Sequence, residues 1–152
     1  MSVSRLNALA LLCAVATACH ESSAPHQATT RVYVLESING NPPPTVTSSG
    51  AGDTVTVLWA TLTLGPTGDA LTVDHLRHAY LAYPPQEQTL ASPSEYRVTG
   101  DSITVGFFGQ CQDLCIRNRV GVITESSVSL IDDYNPYPVP SVIRVYRLID
   151  TY

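Results

Sequence analysis

Three short stretches carry residue types able to do chemistry. Cys111 and Cys115 stand in C-x-x-x-C spacing. Such a pair can close a small disulfide loop, with a modest entropic gain because the loop is short. It could also be half of a zinc site, but that needs two more ligands, and no Cys or His cluster flanks the pair. The spacing is not the C-x-x-C of redox-active pairs, and no helix N-terminus is evident beside it. The second stretch is Asp74-His75-x-x-His78. On a strand the two histidines point to opposite faces; on a helix they share one. Zinc would require a third protein ligand that the neighbourhood does not offer, so both read as surface or pocket-lining residues. The third is Asp132-Asp133-Tyr134-Asn135-Pro136-Tyr137. Its oxygens suit calcium, but the spacing of an EF-hand loop is missing. Asp132, Asp133, Tyr134 and Tyr137 instead suggest a recognition loop, because long loops carry function and tyrosine suits binding surfaces. The competing reading is a plain solvated loop.

Other chemistry has no footing in the sequence. There is no G-x-G-x-x-G and no G-K-S/T loop for phosphates, and no G-x-S-x-G elbow. No Ser, His and acid are placed persuasively for a triad. No catalytic residue, metal or cofactor is assigned, and the expectation is a non-enzymatic protein. Trp59 and the inward tyrosines and phenylalanines either line a pocket or fill a core.

The elements that position these residues begin with an address. Arg5 gives a positive start, and Leu6 to Ala18 is an uncharged, mostly apolar run. It is too short for a membrane span, which needs roughly 20 apolar residues, and its layout fits a secretory signal. Ala16-Thr17-Ala18-Cys19 resembles the lipobox of bacterial lipoproteins. That resemblance implies a signal peptide over residues 1–18, a lipid on Cys19, and membrane attachment through the lipid. His20 after the cysteine implies, by the same resemblance, the outer membrane facing the periplasm. An ordinary signal peptide cut after Ala18 is the alternative. Residues 19–30 are polar, small and proline-containing and read as a flexible tether, with His20 and His26 as solvated linker residues.

Residues 31–152 have the size of one ordinary domain. Cleavage before Cys19 removes Arg5 and leaves seven arginines against thirteen acidic residues, a net charge of −6, with no lysine anywhere. That balance excludes nucleic acid as a partner, and no basic stripe addresses an anionic membrane surface. With Cys13 lost and Cys19 lipidated, Cys111 and Cys115 remain as one pair in an oxidising compartment, and a structural disulfide is expected.

From Arg31 the hydrophobic pattern has period two almost throughout. Arg31 to Ile38 reads as a strand stopped by Asn39-Gly40, and Thr45 to Thr47 as a short strand. Along Thr54 to Leu64 the apolar phase moves from Val55 and Val57 to Leu58, Ala60, Leu62 and Leu64, which implies a bulge near Leu58. Residues 70–83 fit strand and helix alike, and Pro84-Pro85 ends the segment either way. Tyr96-Arg97-Val98, Thr99-Gly100-Asp101 and Ser102 to Phe108 form a hairpin signature with Ile103, Val105 and Phe107 on one face. Arg117 to Thr124 reads as a strand with Val120 and Val122 inward. Ser127 to Ile131 follows, with Val128 and Leu130 alternating with serines, and Val142 to Ile149 is the last strand.

About eight or nine short strands joined mainly by tight turns predict an antiparallel sheet closed into a small barrel, or else a two-sheet sandwich. The segments VYVLESINGNPPP, YRVTGDSITVGFF and NRVGVITESSVSL resemble lipocalin-like domains of bacterial envelope lipoproteins. The resemblance implies an all-β, up-and-down barrel of about eight strands and, by analogy, a small apolar ligand or an envelope protein as partner. A structural or assembly lipoprotein without ligand is the second expectation. Closure requires the last strand to pair with the first, and one face of the last strand must hold Arg144 or Arg147 in a partly covered place. Glu36 on the first strand is the expected partner.

Overall fold

The computed structural model describes residues 29–50, 52–108, 118–132 and 141–152. Cys19, Cys111, Cys115, Asp133, Tyr134 and Tyr137 lie outside them, and with them the expected lipidation, disulfide and most of the recognition loop. Nine strands form: β1 (Arg31–Ile38), β2 (Thr45–Gly50), β3 (Asp53–Leu64), β4 (Asp69–Tyr80), β5 (Tyr83–Thr99), β6 (Ser102–Gly106), β7 (Arg119–Ile123), β8 (Ser127–Asp132) and β9 (Val142–Thr151). Their order in the sheet is β1-β9-β8-β7-β6-β5-β4-β3-β2, and β1 pairs with β3 as well. Eight antiparallel strands therefore close into an up-and-down barrel, and β2 is added outside the ring, on β3.

Alternation builds the core. Tyr33, Leu35 and Ile38 of β1 turn inward to meet Leu62 and Leu64 of β3, Ile103 and Val105 of β6, Val128 and Leu130 of β8, and Tyr146 of β9. Each fully buried side chain of this size contributes roughly 1.5–3 kcal/mol. The bulge expected near Leu58 is present: the β3–β4 register shifts between Val57 and Trp59. It lets both Val57 and Ala60 face the core, with 1% and 0% exposure. Asn39 and Gly40 take positive φ of 50° and 80°, as a tight reversal after β1 requires. Residues 69–80 are a strand rather than a helix, because β3 and β5 flank them on both sides and fill the hydrogen-bond ladder.

Three expectations need correction. Pro84-Pro85 does not end the sheet; β5 runs from Tyr83 to Thr99. The pairs His78 with Gln86 and Tyr80 with Tyr83 leave both prolines in a bulge opposite Ala79. Proline is tolerated in bulges and on edges, where no ladder donor is needed. From Tyr83 to Ser94, β5 pairs only with β4 among the described residues. Val120 and Val122 face outward, 49% and 51% exposed, while Arg119, Gly121 and Ile123 face inward. The phase is set by Arg119, which turns in to meet Asp132. Gly121 fits because β7 and β8 approach so closely that a Cβ there would collide with the Ser129 carbonyl. Phe107 falls beyond the end of β6 and is 45% exposed, whereas Ile103 and Val105 are wholly buried.

Strand directions give the barrel two unlike ends. One carries the tight turns Gly65–Gly68, Gly100–Asp101 and Thr124–Ser126 and brings the start of the barrel domain beside its last residue. There Thr30 and Tyr152 exchange backbone hydrogen bonds of 3.0 and 2.9 Å. The other end carries the connections 107–118 and 133–141 and the tip of the β4–β5 hairpin. β9 pairs with both β1 and β8, as barrel closure requires. Deleting residues 141–152 removes both pairings from a domain whose kind is stable by about 5–15 kcal/mol. The truncated protein should show no cooperative thermal melt by circular dichroism, where the full chain shows one.

Candidate functional site

The lumen is apolar at the tight-turn end and charged at the other. Arg144 of β9, Asp132 at the end of β8, Arg119 at the start of β7, and Asp74 and Thr72 of β4 converge inside the barrel. Each is there through strand phase. Asp74 and Thr72 alternate with Ala70 and Leu76, Arg144 with Tyr146, and Asp132 with Leu130. Arg144 Nη1 donates to Asp74 Oδ1 at 2.6 Å, across the lumen. Its Nε lies 2.7 Å from Asp132 Oδ2, and Arg119 Nε lies 3.7 Å from Asp132 Oδ1. Arg119 Nη2 donates to Thr72 Oγ1 at 2.8 Å.

The cluster balances two positive charges against two negative ones, but its hydrogen bonding is unequal. Asp74 receives a direct bond, whereas Asp132 Oδ1 has no hydrogen-bond partner among the described residues. Burial accordingly pushes the Asp132 carboxyl above its ordinary value, with Asp74 adding to the effect and Arg144 and Arg119 opposing it. Burial alone would lower the Arg144 guanidinium, but Tyr146, Asp74 and Asp132 outweigh it and hold it above its ordinary value. The Tyr146 phenol is pushed up by burial against the pull of Arg144. Its hydroxyl and that of Tyr33 are buried without partners among the described residues.

Asp132 is not a loop residue; it ends β8 and is 6% exposed inside the barrel. Arg144 is the arginine in the covered place, but Glu36 is exposed and is not its partner; Asp74 and Asp132 are. Asp74 enters the sequence reading only through the Asp74-His75-x-x-His78 stretch, and Arg119, Thr72 and Tyr146 do not enter it as site residues, although an inward polar phase along Ala70, Thr72, Asp74 and Leu76 marks Thr72 and Asp74. His75 and His78 do take opposite faces of β4. His75 stacks on Trp59 with ring centroids 5.2 Å apart, and His78 faces Gln88 at 2.6 Å.

On the outer face of β4 and β5 the structure places a hydroxyl, an imidazole and a carboxylate in line. His75 Nδ1 is 2.9 Å from Thr89 Oγ1, and His75 Nε2 is 3.2 Å from Glu87 Oε2. Glu87 also accepts from Arg77 Nε and Nη2 at 3.0 and 2.7 Å. Arg77 and then His75 hold the Glu87 carboxyl below its ordinary value. This row works as a cross-strand ladder. A groove of about 460 Å³ lies at the tight-turn end, lined by Pro66–Gly68 and Tyr96–Thr99, away from the charged cluster.

Comparison with protein-family models, with curated proteins and with solved structures finds no match for this chain.

A pH dependence follows from Asp132. A carboxyl whose folded pKa is raised binds more protons in the native than in the unfolded state, so its contribution to stability falls as pH rises between the two values. The window opens at the ordinary value of 3.8 and extends up to the raised one. The stability of the wild type relative to Asp132→Asn, measured by urea denaturation, should therefore increase as pH falls from neutrality toward 3.8. A difference that shrinks on acidification would contradict this.

Proposed function

We propose that this chain is a non-enzymatic cell-envelope protein, anchored through a lipid on Cys19. In this reading its barrel binds a small molecule or an envelope partner at the end that bears the long connections. The observation that supports this most is polarity along the barrel axis. The domain's first strand starts at the tight-turn end, where Thr30 meets Tyr152, and the charged cluster lies toward the opposite end. A tether over residues 20–30 reaches at most roughly 36–40 Å when extended. An anchor at Cys19 would attach the domain to the membrane at its tight-turn end, the end opposite the charged cluster.

The aromatic hairpin tip favours a second reading, an assembly lipoprotein that docks a partner and takes no ligand. Leu81 and Tyr83 there are 83% and 69% exposed. In both readings the anchor comes first. Replacing Cys19 with Ser should leave an unprocessed precursor that incorporates no labelled palmitate. Undiminished palmitate incorporation in that variant would remove the anchor from the account.

A further inference from the structure

Trp59 neither fills the core nor lines the lumen. The chain's one tryptophan stands on the outer wall of β3 and is 42% exposed. Its indole is held in place all the same. His75, across on β4, stacks on one face with ring centroids 5.2 Å apart and planes 15° from parallel. His75 is held in turn by Thr89 at 2.9 Å and Glu87 at 3.2 Å, and Glu87 by Arg77 at 2.7 Å. A ring fixed in this way gives up little freedom when something lies on its other face, the one toward β1.

That face looks onto a break in the sheet. β1 carries a bulge between Leu35 and Ser37, and Glu36 is the extra residue in it. A bulge bends its strand, and the pairing of β1 with β3 stops at Val34 with Thr61. β2 takes up the same edge of β3 only from Thr45 with Val57. Leu58, Trp59 and Ala60 are left without a ladder partner on that side among the described residues. The β1–β3 register carried two residues further sets Glu36 opposite Trp59 across the break. Both side chains turn outward, since the neighbouring Leu35 and Ala60 are the buried ones.

Charge selects what fits between them. The face of an indole attracts a cation that comes within roughly 6 Å of its centroid. Glu36 supplies a carboxylate from the other side. Among the described residues it makes no salt bridge: the ion pairs join His75 and Arg77 to Glu87, and Arg119 and Arg144 to Asp132 and Asp74. Arg147 of β9 stands opposite Val34 rather than Glu36. Thirteen acidic residues against eight arginines, with no lysine, add a field that draws cations. We infer that Trp59 and Glu36 form a site on the outer wall for a free organic cation of the methylated-ammonium class. A primary ammonium is compact and strongly hydrated, whereas a methylated one carries an apolar shell that lies on the ring. An anion is repelled by Glu36, and a neutral molecule leaves the carboxylate unused. The site lies outside the lumen and needs neither the charged cluster nor the anchor.

As the only tryptophan, Trp59 reports on its own site. Choline is titrated into the full-length protein in the uncharged detergent dodecyl maltoside at neutral pH, and the tryptophan fluorescence is followed. The signal should change saturably. Neohexyl alcohol, which has carbon in place of choline's quaternary nitrogen, should bind more weakly by about tenfold or more. Glycerophosphocholine should also bind more weakly than choline, because its phosphate meets Glu36; this separates a free cation from a lipid headgroup. Glu36→Gln should weaken choline by about threefold or more, with an unchanged melting temperature because the side chain is exposed. Trp59→Leu, followed by calorimetry, should lose the heat of choline binding. No saturable change with choline overturns the inference, as does either variant that keeps the full affinity. Binding of the neutral alcohol or of glycerophosphocholine as tight as that of choline overturns it equally.

Discussion

The pairing of β1 on both of its sides is the constraint on which the rest of the structure depends. Arg31 to Val34 pair with Leu64 to Thr61 of β3, and Arg31 to Ile38 pair with β9. Without that double ladder, β3 and β9 would each present an open edge, and the sheet would have no inside. With it, alternation along every strand becomes a division between lumen and solvent. Closure also brings β4 across from β9, so that Asp74 meets Arg144 although 70 residues separate them.

Once the ring is closed, an eight-stranded lumen is just wide enough for side chains to fill it. This barrel fills it in two ways. Aliphatic residues and Tyr33 occupy the tight-turn end and the middle, where the Tyr33 hydroxyl is buried without a partner among the described residues. The other end takes charges, which are expensive to bury singly and are retained when each has an opposite neighbour. The quartet of Arg119, Asp132, Arg144 and Asp74 meets that condition in charge but not in hydrogen bonding. Among the described residues the shortfall falls on Asp132 Oδ1, Arg144 Nε and the Tyr146 hydroxyl, and burial raises the proton affinity of the Asp132 carboxyl and the Tyr146 phenol.

Much of the ring was legible in the sequence because period two, turn residues and β-branched content all agreed. The β5–β6 hairpin, the bulge at Leu58 and the meeting of first and last strands follow from such local signals. What was not legible depended on neighbours in space. Pro84-Pro85 breaks a ladder only if a donor is needed there, and the bulge opposite Ala79 removes that need. Val120 and Val122 look inward by hydropathy, but β7 is phased by the pairing of Arg119 with Asp132, which no local pattern announces. The partner of Arg144 was sought on the adjacent strand at Glu36, whereas in a closed barrel side chains also meet across the lumen. Asp132 belongs to β8 rather than to a loop, because an acid next to Asp133 reads as loop when its inward phase after Leu130 goes unused.

Closure is tested most directly by hydrogen exchange resolved to single amides along β1. A strand at a sheet edge has every second amide free of a partner, whereas a strand paired on both sides has all of them bonded. The account predicts that the neighbouring amides of Tyr33 and Val34, paired on both sides with no register shift between them, are both protected and exchange together, at the free energy of global unfolding. Protection of one of the two with fast exchange of the other would show β1 to be an edge strand and the barrel to be open.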